Sequence, residues 1–111
     1  MNKQAVTITL TDKNFNRQVI NSLHPFMVHF QTNWSGSSDI MTCIIDDLSQ
    51  VYSGQVTFGI IDTDKHTQTA IKFGIASVPT LLFFKNGRVI DQTIGMISKC
   101  ELSDKLKVLL H

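Results

Sequence analysis

Cysteine is scarce in this chain: its 111 residues include only Cys43 and Cys100, far apart and in no metal-site or redox-pair spacing. Two structural thiols in a reducing compartment fit that pattern. Neither sign of charge is in excess. Ten Lys and Arg stand against nine Asp and Glu, a formal net charge of +1, so no long-range field would draw in nucleic acid or an anionic membrane. A run of about eighteen apolar residues is missing too, and Met1-Asn2-Lys3-Gln4-Ala5 leads straight into a strand pattern without an apolar leader. No repeat or low-complexity segment occurs. The Asp62-Thr63-Asp64 stretch and His66 form no metal loop, since ligand cluster and calcium-loop glycine are both lacking. The expectation is a cytoplasmic monomer with no membrane or nucleic-acid partner, no metal and no cofactor. With 42% apolar residues, residues 1–111 suit a single domain.

What is present is a regular alternation of periods. Val6, Ile8 and Leu10 alternate with threonines, which predicts a half-buried strand over residues 4–9. Thr11 or Asp12 can cap a helix with Phe15, Val19 and Leu23 on one face, stopped by His24-Pro25. Phe26 to Gln31 is nearly all apolar, as a central strand buried on both faces requires. Met41, Ile44, Ile45, Leu48, Val51 and Tyr52 then recur at helical spacing over about four turns, ended by Gly54. Val56 to Ile61 reads as a strand, Lys65 to Phe73 as a shorter helix closed by a left-handed Gly74. Leu81–Phe84 and Val89–Ile94 flank Asn86-Gly87, a strong hairpin signal. Ser98-Lys99-Cys100-Glu101 is a capping box opening a helix with Leu102, Leu106, Leu109 and Leu110 on its apolar face. Strand-helix alternation followed by a hairpin predicts an α/β fold: a central mixed sheet, parallel core and antiparallel C-terminal hairpin, flanked by four helices.

Between the second strand and the long helix lies Trp34-Ser35-Gly36-Ser37-Ser38. It resembles the active-site turn of the thioredoxin family, in which Cys-Gly-Pro-Cys follows the Trp. Further markers follow in the family's order: Phe73-Gly74-Ile75-x-x-Val78-Pro79-Thr80, Phe84-Lys85-Asn86-Gly87 and Ile94-Gly95. The resemblance covers about Val6 to Leu110 and implies a thioredoxin-like fold in which Pro79 is cis and faces the turn beside a peptide-binding groove. The departures are equally specific. Ser35 and Ser38 stand at the positions of the family's redox cysteines, Ser37 at the intervening proline, and His29 at the buried acid. Cys43 replaces a helix-kinking proline, which predicts a straighter helix.

A serine hydroxyl cannot supply the low-pKa nucleophile of disulfide exchange. A hydrolase-like dyad of Ser35 or Ser38 with His29 lacks an evident orienting carboxylate, so His29 reads as a hydrogen-bonded core histidine and the serines as helix-start residues. Cys43 reads as a small apolar side chain and Cys100 as a spectator thiol. No catalytic residue is expected. The resemblance instead implies a redox-inactive module that binds a protein or peptide through Trp34, Gly36, Ser77, Val78, Pro79, Gly95 and Met96. Two alternatives stand beside it: a thioredoxin-type thiol-disulfide oxidoreductase of cell redox homeostasis in a Cys-to-Ser form, and a structural or assembly subunit.

Overall fold

A computed structural model of the chain describes residues 7–33 and 36–110, without the side chains of Ser37 and Ser38. Its elements are β1 (Thr7–Leu10), a short helical segment (Asn16–Ile20), β2 (Phe26–Gln31), α1 (Gly36–Val51), β3 (Thr57–Asp62), α2 (Thr67–Lys72), β4 (Thr80–Lys85), β5 (Arg88–Ile94) and α3 (Lys99–Leu109). The five strands form one sheet in the order β1-β3-β2-β4-β5. β1, β3 and β2 run parallel, while β4 is antiparallel to β2 and β5 to β4. The α/β class, the mixed sheet and the four helical segments are those expected. Among the described residues no helix is long and apolar enough to cross a membrane.

β2 lies at the centre, and all six of its residues are buried. Successive side chains alternate between the sheet's faces, so one strand feeds two cores. Met27 joins Met41, Ile45 and Leu48 of α1, Phe58, Leu81, and Leu102, Leu106 and Leu109 of α3. Phe26, Val28 and Phe30 join Phe15, Val19, Ile61, Leu82 and Phe84 on the opposite face. There Phe15 contacts Phe73 at 5.4 Å and Phe84 at 5.9 Å between ring centroids, in the tilted and edge-on arrangements that aromatic quadrupoles favour.

Local chemistry sets the boundaries. Ser98 caps α3, its Oγ accepting from the Glu101 N–H at 3.1 Å while donating to the Glu101 carboxylate at 3.2 Å. Asn86 and Gly87 both take positive φ, 54° and 78°, as a two-residue hairpin turn demands, and a Cβ on Gly87 would collide with the Ile20 carbonyl. Gly74, at φ 65°, ends α2 with the Ile75 N–H reaching back to the Ala70 carbonyl at 2.9 Å.

Two apolar positions depart from the periodicity. Leu23 is 90% exposed. The preceding segment is wound wide, with the Asn21 N–H donating to the Asn16 carbonyl five residues back at 2.9 Å. It ends at Ile20, so the four-residue spacing through Phe15 and Val19 is not carried on to Leu23. Val51 is 65% exposed because it is the last residue of α1, while Tyr52 continues inward and donates or accepts a 2.9 Å hydrogen bond with the Ser103 hydroxyl. Asp12 does not cap its own helical segment. Thr11 closes the turn leading into it in a reciprocal pair with Asn14, at 3.1 and 2.7 Å, and the segment itself has no side-chain cap.

Candidate functional site

The sheet topology collects the chain's chemistry at one end. Phe30 pairs with Thr80, and Thr80 with Ile94, so the exit of β2, the entrance of β4 and the exit of β5 fall in one row. Ser77, Val78 and Pro79 lie just before that row, and Gly95 and Met96 just after it. The Gly95 N–H donates to the Pro79 carbonyl at 2.8 Å, and the Thr80 hydroxyl donates to the Ser77 carbonyl at 2.7 Å. These bonds hold the two loops together. The Val78–Pro79 peptide bond is cis.

Between those two anchored carbonyls, the main-chain N–H and C=O of Val78 make no hydrogen bond among the described residues. Unpaired backbone groups at a half-exposed position are what an added strand needs. Pro79 is buried, Val78 half-buried, Ser77 exposed and Met96 52% exposed. Gly36 opens α1 at the surface, and a Cβ there would meet nothing within 4 Å among the described residues. The structure therefore brings together Ser77, Val78, Pro79, Gly95 and Met96. Trp34 and Ser35 lie outside the described residues, as do the side chains of Ser37 and Ser38.

His29 sits in the middle of β2, level with Ile60 of β3 and Leu81 of β4, on the face that carries Met27 and α1. It is 1% exposed, and burial alone pushes its pKa down to about 4, so it is neutral at pH 7. The expectation of a hydrogen-bonded core histidine is corrected here: neither Nδ1 nor Nε2 has a partner among the described residues. The side chains level with it, Ile60 and Leu81, and those before and after it, Val28 and Phe30, are all apolar. No carboxylate orients the ring, so a base poised for a serine nucleophile is not assembled among the described residues.

Both cysteines are free and exposed. Cys43 lies on the outer face of α1, one turn from Asp39 and one turn from Asp47, and is solvated rather than packed. Cys100 lies in the first turn of α3, on a different element from the Val78 groove.

Sequence reasoning missed a second feature of this end. A cleft of about 300 Å³ opens where β1, β2 and β3 finish, walled by Gln31, Asn33, Ile60, Asp62, Lys65 and His66. Its signal was the polar trio Gln31-Thr32-Asn33 closing an otherwise apolar strand, with Gln31 and Thr32 buried. Buried polar side chains at a strand's carboxyl end mark the usual ligand-facing rim of an α/β sheet.

The comparisons with known proteins agree with this architecture. The thioredoxin family model matches residues 6–108. A thioredoxin of Buchnera aphidicola is 39% identical over 99 residues, 89% of this chain and 92% of that protein. One from Alicyclobacillus acidocaldarius is 36% identical over 105 residues, covering 95% and 99%. The chloroplastic M-type thioredoxin of Pisum sativum is 39% identical over 98 residues, 88% of this chain but 57% of the pea protein. The chain belongs to the thioredoxin family.

Proposed function

We propose that this protein is a redox-inactive member of the thioredoxin family that binds an extended protein or peptide segment non-covalently. The observation that carries the binding half is Val78: its N–H and C=O, unpaired among the described residues, lie between the anchored carbonyls of Ser77 and Pro79, with the exposed Met96 across the Gly95–Pro79 bridge. Main-chain pairing to Val78 supplies affinity, and Met96, with Trp34 and Gly36 at the adjoining turn, supplies adaptable apolar contact. The inactive half rests on sequence: serine at 35 and 38 can neither attack a disulfide nor close one. The two thiols that remain, on α1 and α3, lie outside the groove. The protein acts as a monomer in the cytoplasm on this reading.

A second reading is favoured by family membership itself. It makes the protein a thiol-disulfide oxidoreductase whose two redox cysteines are here replaced by Ser35 and Ser38. One experiment separates the two: a disulfide-reduction assay on the chain as it stands and on the double variant Ser35→Cys, Ser38→Cys. Inactivity of both is the expected outcome, because His29 cannot take up a proton from a thiol near neutral pH with its pKa held near 4. Turnover by the double variant alone supports the oxidoreductase reading, and turnover by the unaltered chain refutes redox inactivity. Binding is tested with Trp34→Ala, which weakens partner capture if the groove is used. It leaves capture intact if the protein is an assembly subunit that docks by its helices.

A further inference from the structure

The cleft at the carboxyl ends of β1, β2 and β3 lies outside the groove just described, and its polar groups are unevenly committed. Asp62 is turned back on its own loop: its Oδ1 accepts from the Asp64 N–H at 2.8 Å and the Lys65 N–H at 3.4 Å. The Nδ1 of His66 accepts from the Asp12 N–H at 3.3 Å, which puts the ring proton of the neutral imidazole on Nε2. Lys65 is exposed and has no carboxylate within salt-bridge distance among the described residues. With Asp62 held to its own loop amides, the groups left free among the described residues are the Lys65 ammonium, the His66 Nε2–H and the side-chain amides of Gln31 and Asn33, above an apolar wall formed by Ile60.

From this geometry we infer that the cleft is a subsite for an acidic side chain of the bound peptide, with Lys65 as its counter-charge. The inference rests on the peptide-binding reading above. A carboxylate carries the single charge that Lys65 offsets, can accept from the neutral donors and has methylene to set against Ile60; a phosphate dianion would carry twice that charge and meet about twice the repulsion from Asp62. The reach fits as well. β4 and β3 are separated by β2 alone, so about 10 Å lies between the Val78 end and this cleft, a span that an extended peptide covers in about three residues.

The test is an NMR titration of the full ¹⁵N-labelled chain with acetyl-Ala-Val-Ala-Ala-Asp-Ala-Ala-amide, its Asp-to-Asn counterpart, and acetate. Shifts at residues 77–79 and 95–96 report the groove, and those at 31, 33 and 62–66 the subsite. The Asp peptide is expected to bind about fivefold more tightly than the Asn peptide, the scale of one solvated ion pair. Lys65→Gln, whose unchanged spectrum elsewhere shows it folded, abolishes that preference while leaving the groove shifts. Equal affinity for the two peptides, a preference that survives Lys65→Gln, or saturation by acetate at the peptide's own concentration overturns the subsite. Asp-dependent shifts at 62–66 without any at 77–79 and 95–96 overturn the peptide groove and leave a detached carboxylate site. Silence at both sets overturns both.

Discussion

Asp12 and His29 are both titratable groups set against the sheet, and they meet opposite fates. Asp12 sits after β1 and reaches the start of α2, where its carboxylate accepts from the Thr69 N–H at 2.9 Å, the Thr69 hydroxyl at 2.6 Å and the Gln68 N–H at 3.4 Å. His66, the residue before α2, offers no side-chain cap of its own. Desolvation pushes the Asp12 carboxyl up, but the bonds from Thr69 and Gln68 and the nearby His66 outweigh it and hold the pKa below 3.8. A residue from the chain's beginning thus satisfies amides that the helix would otherwise leave orphaned. His29, by contrast, is deeper and wholly without partners among the described residues. The half-exposed, fully bonded Asp12 stabilises the fold; the buried His29 costs stability.

The contrast can be broken most strongly by pH. With His29 near pKa 4 folded and 6.5 unfolded, the unfolded chain binds the extra proton between those values. Stability is therefore greatest above pH 6.5 and falls toward pH 4 by about 3 kcal/mol from this residue. Urea denaturation across that window should show the fall in the wild type and its disappearance in His29→Leu. The variant should be no less stable at pH 7, since it removes an unpaired polar group. A loss above about 2 kcal/mol at pH 7 would mean that the ring is hydrogen-bonded after all.

Asp12→Ala should act in the opposite sense, lowering stability at pH 7 by about 1–2 kcal/mol as α2 loses its cap. Its pH window is separate. The lowered folded pKa makes the Asp12 contribution complete above about 3.8, the ordinary carboxylate value, and it is lost as pH falls below that. Thermal unfolding of wild type and variant should therefore converge in strong acid, and a constant gap at every pH would contradict the cap. A still smaller effect sharpens the comparison from the surface. Asp91 and Lys105 form a 2.8 Å ion pair, with side chains 44% and 34% exposed. Asp91→Asn should cost about 0.5 kcal/mol and less in high salt, a smaller effect than that of Asp12→Ala.

How much was legible beforehand follows the range of each interaction. The five strands, the Asn86-Gly87 turn, the Ser98 capping box and the Gly74 stop were all readable, because each depends on residues within a few positions of one another. Misreadings came where range was longer. Leu23 looked inward from spacing alone until the wide turn ended the segment at Ile20. Thr11 or Asp12 read as the local cap; Thr11 has the local partner, Asn14, whereas the partner of Asp12, Thr69, is 57 residues away. The Val78 groove was legible through the family's markers, the cleft by Lys65 only through the unexplained polarity of Gln31-Thr32-Asn33.

By itself, then, the sequence determined the element order, the two-sided burial of β2 and the presence of hydroxyls rather than thiols at 35 and 38, since periodicity, turn chemistry and side-chain identity are local properties. Only the tertiary structure decided that the Gly95 N–H would lock onto the Pro79 carbonyl, that Asp12 would find α2 and that, among the described residues, the Val78 backbone groups and the His29 ring would find no partner. Those outcomes depend on which strands become neighbours, and strand pairing brings together residues that no local pattern connects.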